Sequence, residues 1–267
     1  MLFVANDLLK QKMTPPDTLL VIPSYRDGLR LAVFLPALCA ELARRPAGVQ
    51  VQVVDDGSPT GEQQWLATEI DRVRRQYSFL QPLQTYADNR GKGHAIRAGW
   101  ATAPTVHWLA FVDADGAAPA PEVSALLQRA RNSAPPALFI AERTAPPGKP
   151  VTRFWHRRLG SRGFNLWVRF WLGLELPDTQ CGLKVIPASF FRGSAWREDG
   201  FSFDLELLLR ARAVGLPVIA QPITWREHAG SALGPGAMLA LFVAAWRLRR
   251  REGAEQNADA SSGRAPG

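Results

Sequence analysis

Short β-branched and apolar runs alternate with helix-length amphipathic segments over the first two thirds of the chain. That is the pattern of a mainly parallel sheet with helices on its faces. Thr18–Pro23 (TLLVIP) predicts a first strand. Leu29–Arg45 repeats its apolar residues at helical spacing and stops before Pro46 and Gly48, which predicts a helix. Val49–Asp55 reads as a second strand, Gly61–Tyr77 as a charged amphipathic helix, and Phe79–Thr85 as a short third strand. Gly93–Ala101 can form a helix, and Thr105–Asp113 (TVHWLAFVD) predicts a fourth strand.

Three of these strands end in polar residues: Ser24-Tyr25-Arg26-Asp27, Asp55-Asp56-Gly57-Ser58 and Asp113-Ala114-Asp115-Gly116. Parallel strands bring their carboxyl ends to one sheet edge, where ligands bind in the crevice. The three motifs therefore converge on one site. No internal repeat is evident, and the length of 267 residues suits one undivided α/β domain. The expected division is a lead over 1–17, a catalytic domain over 18–251, and a disordered tail over 252–267 whose polar composition lacks apolar periodicity.

Charge narrows the partners. Lys and Arg outnumber Asp and Glu by 32 to 24 and the pI is near 10.2, which favours anionic partners such as phospholipid, nucleic acid or phosphorylated substrates. Two cysteines far apart, Cys39 and Cys181, fit neither a disulfide framework nor a thiolate metal cage and point to a reducing cytosol. Met1–Thr14 contains neither a signal-peptide core nor a spanning helix. Met238–Trp246 is apolar all round but nine residues long, short of the roughly 20 needed to cross a bilayer, and Arg247, Arg249, Arg250 and Arg251 follow it. Such a segment suits a helix docked on the core or one lying at a lipid surface.

Asp113 and Asp115 stand two apart where a strand unpairs, so both carboxylates can reach a hard cation, Mg²⁺ or Mn²⁺, while Ala114 turns away. Few protein ligands would leave positions open for a diphosphate. Asp55 and Asp56 can accept hydrogen bonds from a base or ribose, or merely form an Asx-turn. In Asn89-Arg90-Gly91-Lys92-Gly93 the glycines allow close backbone approach, and Lys92 offers positive charge to an anion at a helix N-terminus. Between Arg143 and Arg169 lie seven cationic residues and no acidic one. On a helix, Arg158, Ser161, Arg162, Asn165 and Arg169 share one face, with Leu159, Leu166, Trp167, Phe170 and Trp171 opposite. The apolar side is expected to pack, and the basic side to bind a phosphate monoester or simply to be solvated.

VIPSY (Val21–Tyr25), VVDDGS (Val53–Ser58), NRGKGHAIRAG (Asn89–Gly99) and FVDADGA (Phe111–Ala117) together resemble family-2 glycosyltransferases of the GT-A fold. DTQCGLK (Asp178–Lys184), FSFDLELL (Phe201–Leu208) and WREHAGSAL (Trp225–Leu233) are similar to the dolichyl-phosphate β-glucosyltransferase branch, and RRLGSRGFNL (Arg157–Leu166) also to dolichyl-phosphate mannose synthases. The resemblance runs from about Leu19 to Arg250. It implies an α/β GT-A fold, with a mainly parallel Rossmann-like sheet and helices on both faces. It also implies metal-dependent transfer of a hexose, with inversion, from a nucleotide sugar (UDP-glucose) to a polyprenyl phosphate.

By the family pattern Asp113 and Asp115 hold metal and diphosphate. Pro23, Ser24, Tyr25, Asp55, Asp56, Gly91 and Lys92 line the nucleotide-sugar site, and Arg143, Arg158 and Ser161 hold the acceptor phosphate, with Arg158 contributing to catalysis. The chain departs from the pattern at Arg26-Asp27, where the family commonly has Asn and Glu, and at Ala232, where it has lysine. Eukaryotic relatives carry an N-terminal membrane span with no counterpart here, and the Arg-, Ala- and Pro-rich composition suggests a bacterial protein using undecaprenyl phosphate. The expected location is the cytoplasmic face of the membrane, by peripheral contact.

A phosphate monoester is mostly dianionic at neutral pH, its second pKa being about 6, and attacks without a general base. Transfer to a soluble hydroxyl acceptor would instead need Asp204, Glu206 or Asp178 as base, although Asp204 suits a helix cap equally well and His228 is equally open. A catalytically silent module binding membranes or nucleic acid through its charge leaves the Asp113/Asp115 pair unexplained. Nucleic-acid signatures are not evident, so no nucleic-acid partner is expected.

Overall fold

The computed structural model describes residues 16–45, 48–143, 151–152, 155–226, 236 and 240–251, and the side chains of residues 151–162 fall outside that description. The sheet begins with β1 (Thr18–Ser24), β2 (Val49–Asp55), β3 (Gln84–Thr85) and β4 (Trp108–Val112). It continues with β5 (Leu138–Glu142), and a separate pair is formed by β6 (Val151–Thr152) and β9 (Trp225–Arg226). β7 (Leu183–Pro187) and β8 (Val218–Pro222) complete a seven-stranded sheet of order β3-β2-β1-β4-β7-β5-β8. β3, β2, β1 and β4 run parallel, and β7 is antiparallel to both of its neighbours.

β1 is buried along its whole length. Its side chains alternate between two cores, Leu20 and Ile22 on one sheet face and Leu19 and Val21 on the other. A strand covered on both sides must be apolar at nearly every position, which explains TLLVIP. One face is covered by α1 (Gly28–Ala43), α2 (Thr60–Arg74) and α4 (Ala120–Arg131). The other is covered by α3 (Lys92–Trp100), α5 (Trp155–Leu172), α7 (Phe203–Ala213) and the helical residues 240–251, while α6 (Ala188–Arg192) follows β7. The expected α/β class and parallel order are present.

One local difference has a physical cause. The predicted third strand, Phe79–Thr85, contracts to two residues and a bridge between Val51 and Leu80. Pro82 has no N–H for the ladder, and its carbonyl is taken by the Gln52 amide at 2.8 Å. The last residue of the expected lead is tied to the domain. Asp17 donates its N–H to Gly48 O, and its carboxylate pairs with Arg131 at 2.8 Å. Residues 1–15 and the expected tail, 252–267, lie outside the described residues.

Candidate active site

The strand order reverses between β1 and β4, because the chain moves outward through β2 and β3 and returns to the other side of β1. A crevice forms at such a point beyond the carboxyl ends. Here it is a cleft of about 380 Å³ lined by Pro23, Ser24, Tyr25, Asp27, Arg30, Asp56, Asn89, Gly91, Lys92, Asp113, Ala114, Asp115 and Phe201. Eight residues expected at a nucleotide-sugar site thus meet in one place, and Asp55 is fully buried at the end of β2.

The Asp113 N–H donates to Gly182 O at 2.8 Å, which turns the chain out of β4 beside β7. The Asp113 carboxylate lies against Gly182, where a Cβ would stand 1.7 Å from Oδ2. Only glycine leaves that space. Burial raises the Asp113 pKa, Asp115 adds to the rise, and Lys92 opposes it. Asp27 is likewise raised by burial, opposed by Arg30 and reinforced by Asp115 and Asp113. Carboxylates that repel one another across a cleft are a donor set suited to a hard cation. Among the described residues no group of three His, Cys, Asp or Glu side chains could hold a metal by itself. A cation at Asp113 and Asp115 would therefore draw its other ligands from water and a bound anion, which is how Mg²⁺ is usually held.

Lys92, expected to offer positive charge to an anion, lines the cleft between two carboxylates. Its ammonium is 2.8 Å from Asp113 Oδ1 and 3.4 Å from Asp204 Oδ2, and their charges raise its pKa against the opposing effect of burial. Asp204 is also paired with the fully buried Lys184, whose ammonium donates to Cys181 O at 2.8 Å. Sequence reasoning assigned no role to Lys184 or Gly182. The signal was a lysine flanked by Leu183 and Val185 in an apolar strand, a placement that demands a buried counter-ion.

Asp55 and Asp56 part company. Asp56 Oδ1 accepts from the Tyr86 hydroxyl (2.8 Å) and Arg90 N (2.9 Å), and Oδ2 from the Asn89 amide (2.9 Å) and Gly91 N (2.8 Å). These donors engage both oxygens of the Asp56 carboxylate, a group expected at a base or ribose. Its work is to hold the Asn89–Lys92 turn. Gly91 in that turn has φ +105, and a Cβ there would stand 2.5 Å from Asp199 O. Asp55 Oδ1 accepts from Ser58 N and the Gln63 amide, whereas Oδ2 and Ser24 Oγ have no hydrogen-bond partner among the described residues. Buried acceptors of that kind fit a ligand's donors.

The basic segment is only partly as expected. Arg143 forms a bidentate pair with Asp178 (Nε–Oδ2 2.6 Å, Nη2–Oδ1 2.8 Å) and lies over the Trp225 ring at 5.1 Å. Burial would raise the Asp178 pKa, but the Arg143 charge and hydrogen bonds outweigh it and lower it. Arg143, expected at the acceptor phosphate, is thus paired with a protein carboxylate, and Asp178, a candidate base, is engaged by it. Arg158 and Ser161 lie on α5, with side chains outside the described residues. On this helix Phe164, Val168 and Leu172 are the buried side, and Trp167 packs on Phe242 at 4.7 Å. Leu166 and Phe170, expected to pack, are 68% and 85% exposed. The helix presents a different face to the core because residues 240–251 cover Trp167, a contact that periodicity alone does not reveal.

The other candidate bases are engaged too. Asp204 lies in the first turn of α7, behind the N-cap Ser202, and is a counter-ion to two lysines. Glu206 accepts from Arg197 N, Glu198 N and the Arg210 guanidinium. His228 lies outside the described residues.

The glycosyl transferase family 2 model matches residues 19–193, from β1 through α6. The chain belongs to glycosyl transferase family 2. The matched span of this family 2 glycosyltransferase includes Asp55, Lys92, Asp113, Asp115, Asp178 and Lys184, while Phe201 and Asp204 lie beyond it. A dolichyl-phosphate beta-glucosyltransferase of Homo sapiens is 31% identical over 228 residues, covering 80% of this chain and 69% of that protein. A polyprenol monophosphomannose synthase of Mycolicibacterium smegmatis is 30% identical over 247 residues, covering 88% of each. Glucosyl-3-phosphoglycerate synthase from Mycobacterium tuberculosis, solved in complex with Mn²⁺, uridine diphosphate and phosphoglyceric acid, superposes with a TM-score of 0.63 at 16% identity, covering 91% of this chain and 81% of that one. The family 2 chain thus has the α/β GT-A fold implied by its motifs.

Proposed function

We propose that this family 2 enzyme transfers a hexose, glucose from UDP-glucose, to a polyprenyl phosphate at the cytoplasmic surface of a membrane, through one catalytic domain spanning about residues 18–251. The observation that carries the acceptor class is the state of the carboxylates. Asp204 is held between two lysines, Asp178 is held by Arg143, and Glu206 is saturated by N–H donors. Among the described residues these three are the candidate bases, His228 lying outside them, and a hydroxyl acceptor needs a base. A dianionic phosphate does not.

In this reading a phosphate oxygen attacks the anomeric carbon from the face opposite the nucleotide. One carbon–oxygen bond forms as the bond to the diphosphate breaks, the configuration inverts, and UDP leaves with the bonding pair. Asp113 and Asp115 would hold a Mg²⁺ or Mn²⁺ ion, whose chemistry is to neutralise charge on the departing diphosphate. The unpartnered Asp55 Oδ2 and Ser24 Oγ, with Pro23 and Tyr25, would receive the nucleoside. Asp56 holds the turn bearing Gly91 and Lys92 against that site. Arg158 and Ser161 would bind the acceptor phosphate with charge-assisted hydrogen bonds. Arg143 orders the neighbouring wall through Asp178.

Contact with the bilayer is supported by Leu166 and Phe170 on α5, and by exposed Val243 and Trp246, with Arg250 over the Trp246 ring at 4.7 Å. Among the described residues no helix is long and apolar enough to cross a membrane.

The test is incubation of purified protein with Mn²⁺, undecaprenyl phosphate and radiolabelled UDP-glucose, with GDP-mannose in parallel. Label is expected in the organic phase, to vanish with EDTA, and to vanish in Asp115→Asn while circular dichroism is unchanged. Label transferred only to water-soluble alcohols would overturn the acceptor class. Full turnover in excess chelator would overturn the metal assignment.

A further inference from the structure

From the open cleft inward the charged groups run Asp115, Asp113, Lys92, Asp204, Lys184. Lys92 is shared by Asp113 and Asp204, and Asp204 also holds Lys184. Exposure falls along the series, from 35% for the Asp113 side chain through 11% for Lys92 to 1% for Asp204 and none for Lys184. A fully buried lysine is costly to desolvate and persists only with a fixed partner. Lys184 therefore anchors Asp204, and a second hydrogen-bond partner, Cys181 O, fixes its ammonium. Lys92 is less deeply buried. It stands between two carboxylates at unequal distances, 2.8 and 3.4 Å, with the Phe111 ring 5.0 Å and the Phe201 ring 6.0 Å away. A shift of roughly half an ångström would turn the longer contact into a full charge-assisted hydrogen bond with Asp204.

A divalent cation at Asp113 competes with Lys92 for the same carboxylate, because Oδ2 lies against Gly182 and Oδ1 carries the ammonium. We propose that Lys92 is an exchangeable counter-ion, which holds Asp113 while the metal is absent and is received by the Lys184-anchored Asp204 when a divalent cation takes Asp113. Lys92 and Asp204 are positioning residues in this scheme. The exchange keeps Asp113 oriented in the empty site and keeps the ammonium inside the cleft wall afterwards. The proposal rests on Asp113 and Asp115 being the metal ligands.

Mn²⁺ binding to the full chain without nucleotide, read from the electron paramagnetic resonance of free Mn²⁺, tests it apart from turnover. Lys92→Met removes the competitor and is expected to tighten Mn²⁺ binding by at least about tenfold. Replacing the buried pair by Lys184→Met with Asp204→Leu strands the ammonium on Asp113, and is expected to weaken binding by at least about tenfold. Adding Lys92→Met to that double variant should bring binding to the level of Lys92→Met alone, about tenfold tighter than the parent, since the two changes act through one group, whereas additive effects would return it only to the parental level.

Unchanged or weaker binding in Lys92→Met overturns the proposal, as does an additive effect in the combined variant. Should the pair replacement fail to fold by circular dichroism, Lys92→Met decides alone, because a lysine with a purely structural role gives no tightening. Asp115→Asn separates the two readings. If it binds Mn²⁺ like the parent, the metal assignment itself has failed, whereas loss of binding there with no tightening in Lys92→Met refutes only the exchange.

Discussion

Substituting Gly182 by alanine is the smallest change that moves Asp113 without touching its charge. The added methyl would stand 1.7 Å from Asp113 Oδ2 and 2.1 Å from Cγ, where ordinary contact begins near 3.4 Å. The carboxylate must therefore retreat by well over an ångström, since the backbone of Gly182 is tied to Asp113 N at 2.8 Å and β7 is paired on both sides. A misplacement of about 1 Å at a reacting centre lowers rates by about 10²-fold, equivalent to about 2.7 kcal/mol of lost transition-state stabilisation. In Gly182→Ala, kcat with saturating donor and Mn²⁺ is expected to fall by at least that factor. Circular dichroism should stay that of the parent, because the clash is with one mobile carboxylate. Serine at the same position should fail alike. A folded Gly182→Ala protein with parental kcat would refute the placement of Asp113 at the reaction.

Three further outcomes follow from the same geometry. Arg158→Ala removes a charge-assisted contact worth roughly 1.5–3 kcal/mol, so turnover at subsaturating polyprenyl phosphate should drop at least about tenfold. UDP-sugar affinity, measured by calorimetry, should scarcely change. Asp178→Asn leaves Arg143 charged and unmatched in a buried site and should lower unfolding stability by about 3–5 kcal/mol in urea titrations at pH 7. Because Asp178 is held below its ordinary value of 3.8, the parent's contribution from this pair is complete above that pH and disappears as pH falls through the lower folded value. The difference between parent and variant should narrow only in that acid range. Phe170→Ser combined with Trp246→Ser should weaken sedimentation with anionic vesicles, and 0.5 M salt should weaken the parent's binding, while equal sedimentation in all cases would place the contact elsewhere.

Much of the site was legible before folding because its groups sit at strand ends. Ser24, Asp55 and Asp113 are each next to a β-branched run, and parallel topology carries such ends to one edge whatever the loops do. Asp113 and Asp115 were readable as a pair for the same reason. The double-faced burial of β1 was also written in TLLVIP, where no polar residue interrupts the strand before Ser24 other than the leading Thr18. By contrast, the partners of the charged residues were decided by packing. Nothing local in FSFDLELL distinguishes a base from a helix cap or a counter-ion, since Asp204 becomes a counter-ion only when β7 delivers Lys184 and α3 delivers Lys92 to it from 20 and 112 residues away. Arg143 and Asp178 meet across 35 residues, and Leu166 and Phe170 stay exposed because residues 240–251 cover a neighbouring face of their helix. Sequence by itself determined which residues reach the cleft edge, through periodicity and strand termini. Tertiary structure alone decided which charges neutralise one another, because electrostatic pairing acts through space at distances of a few ångströms and keeps no record in the spacing along the chain.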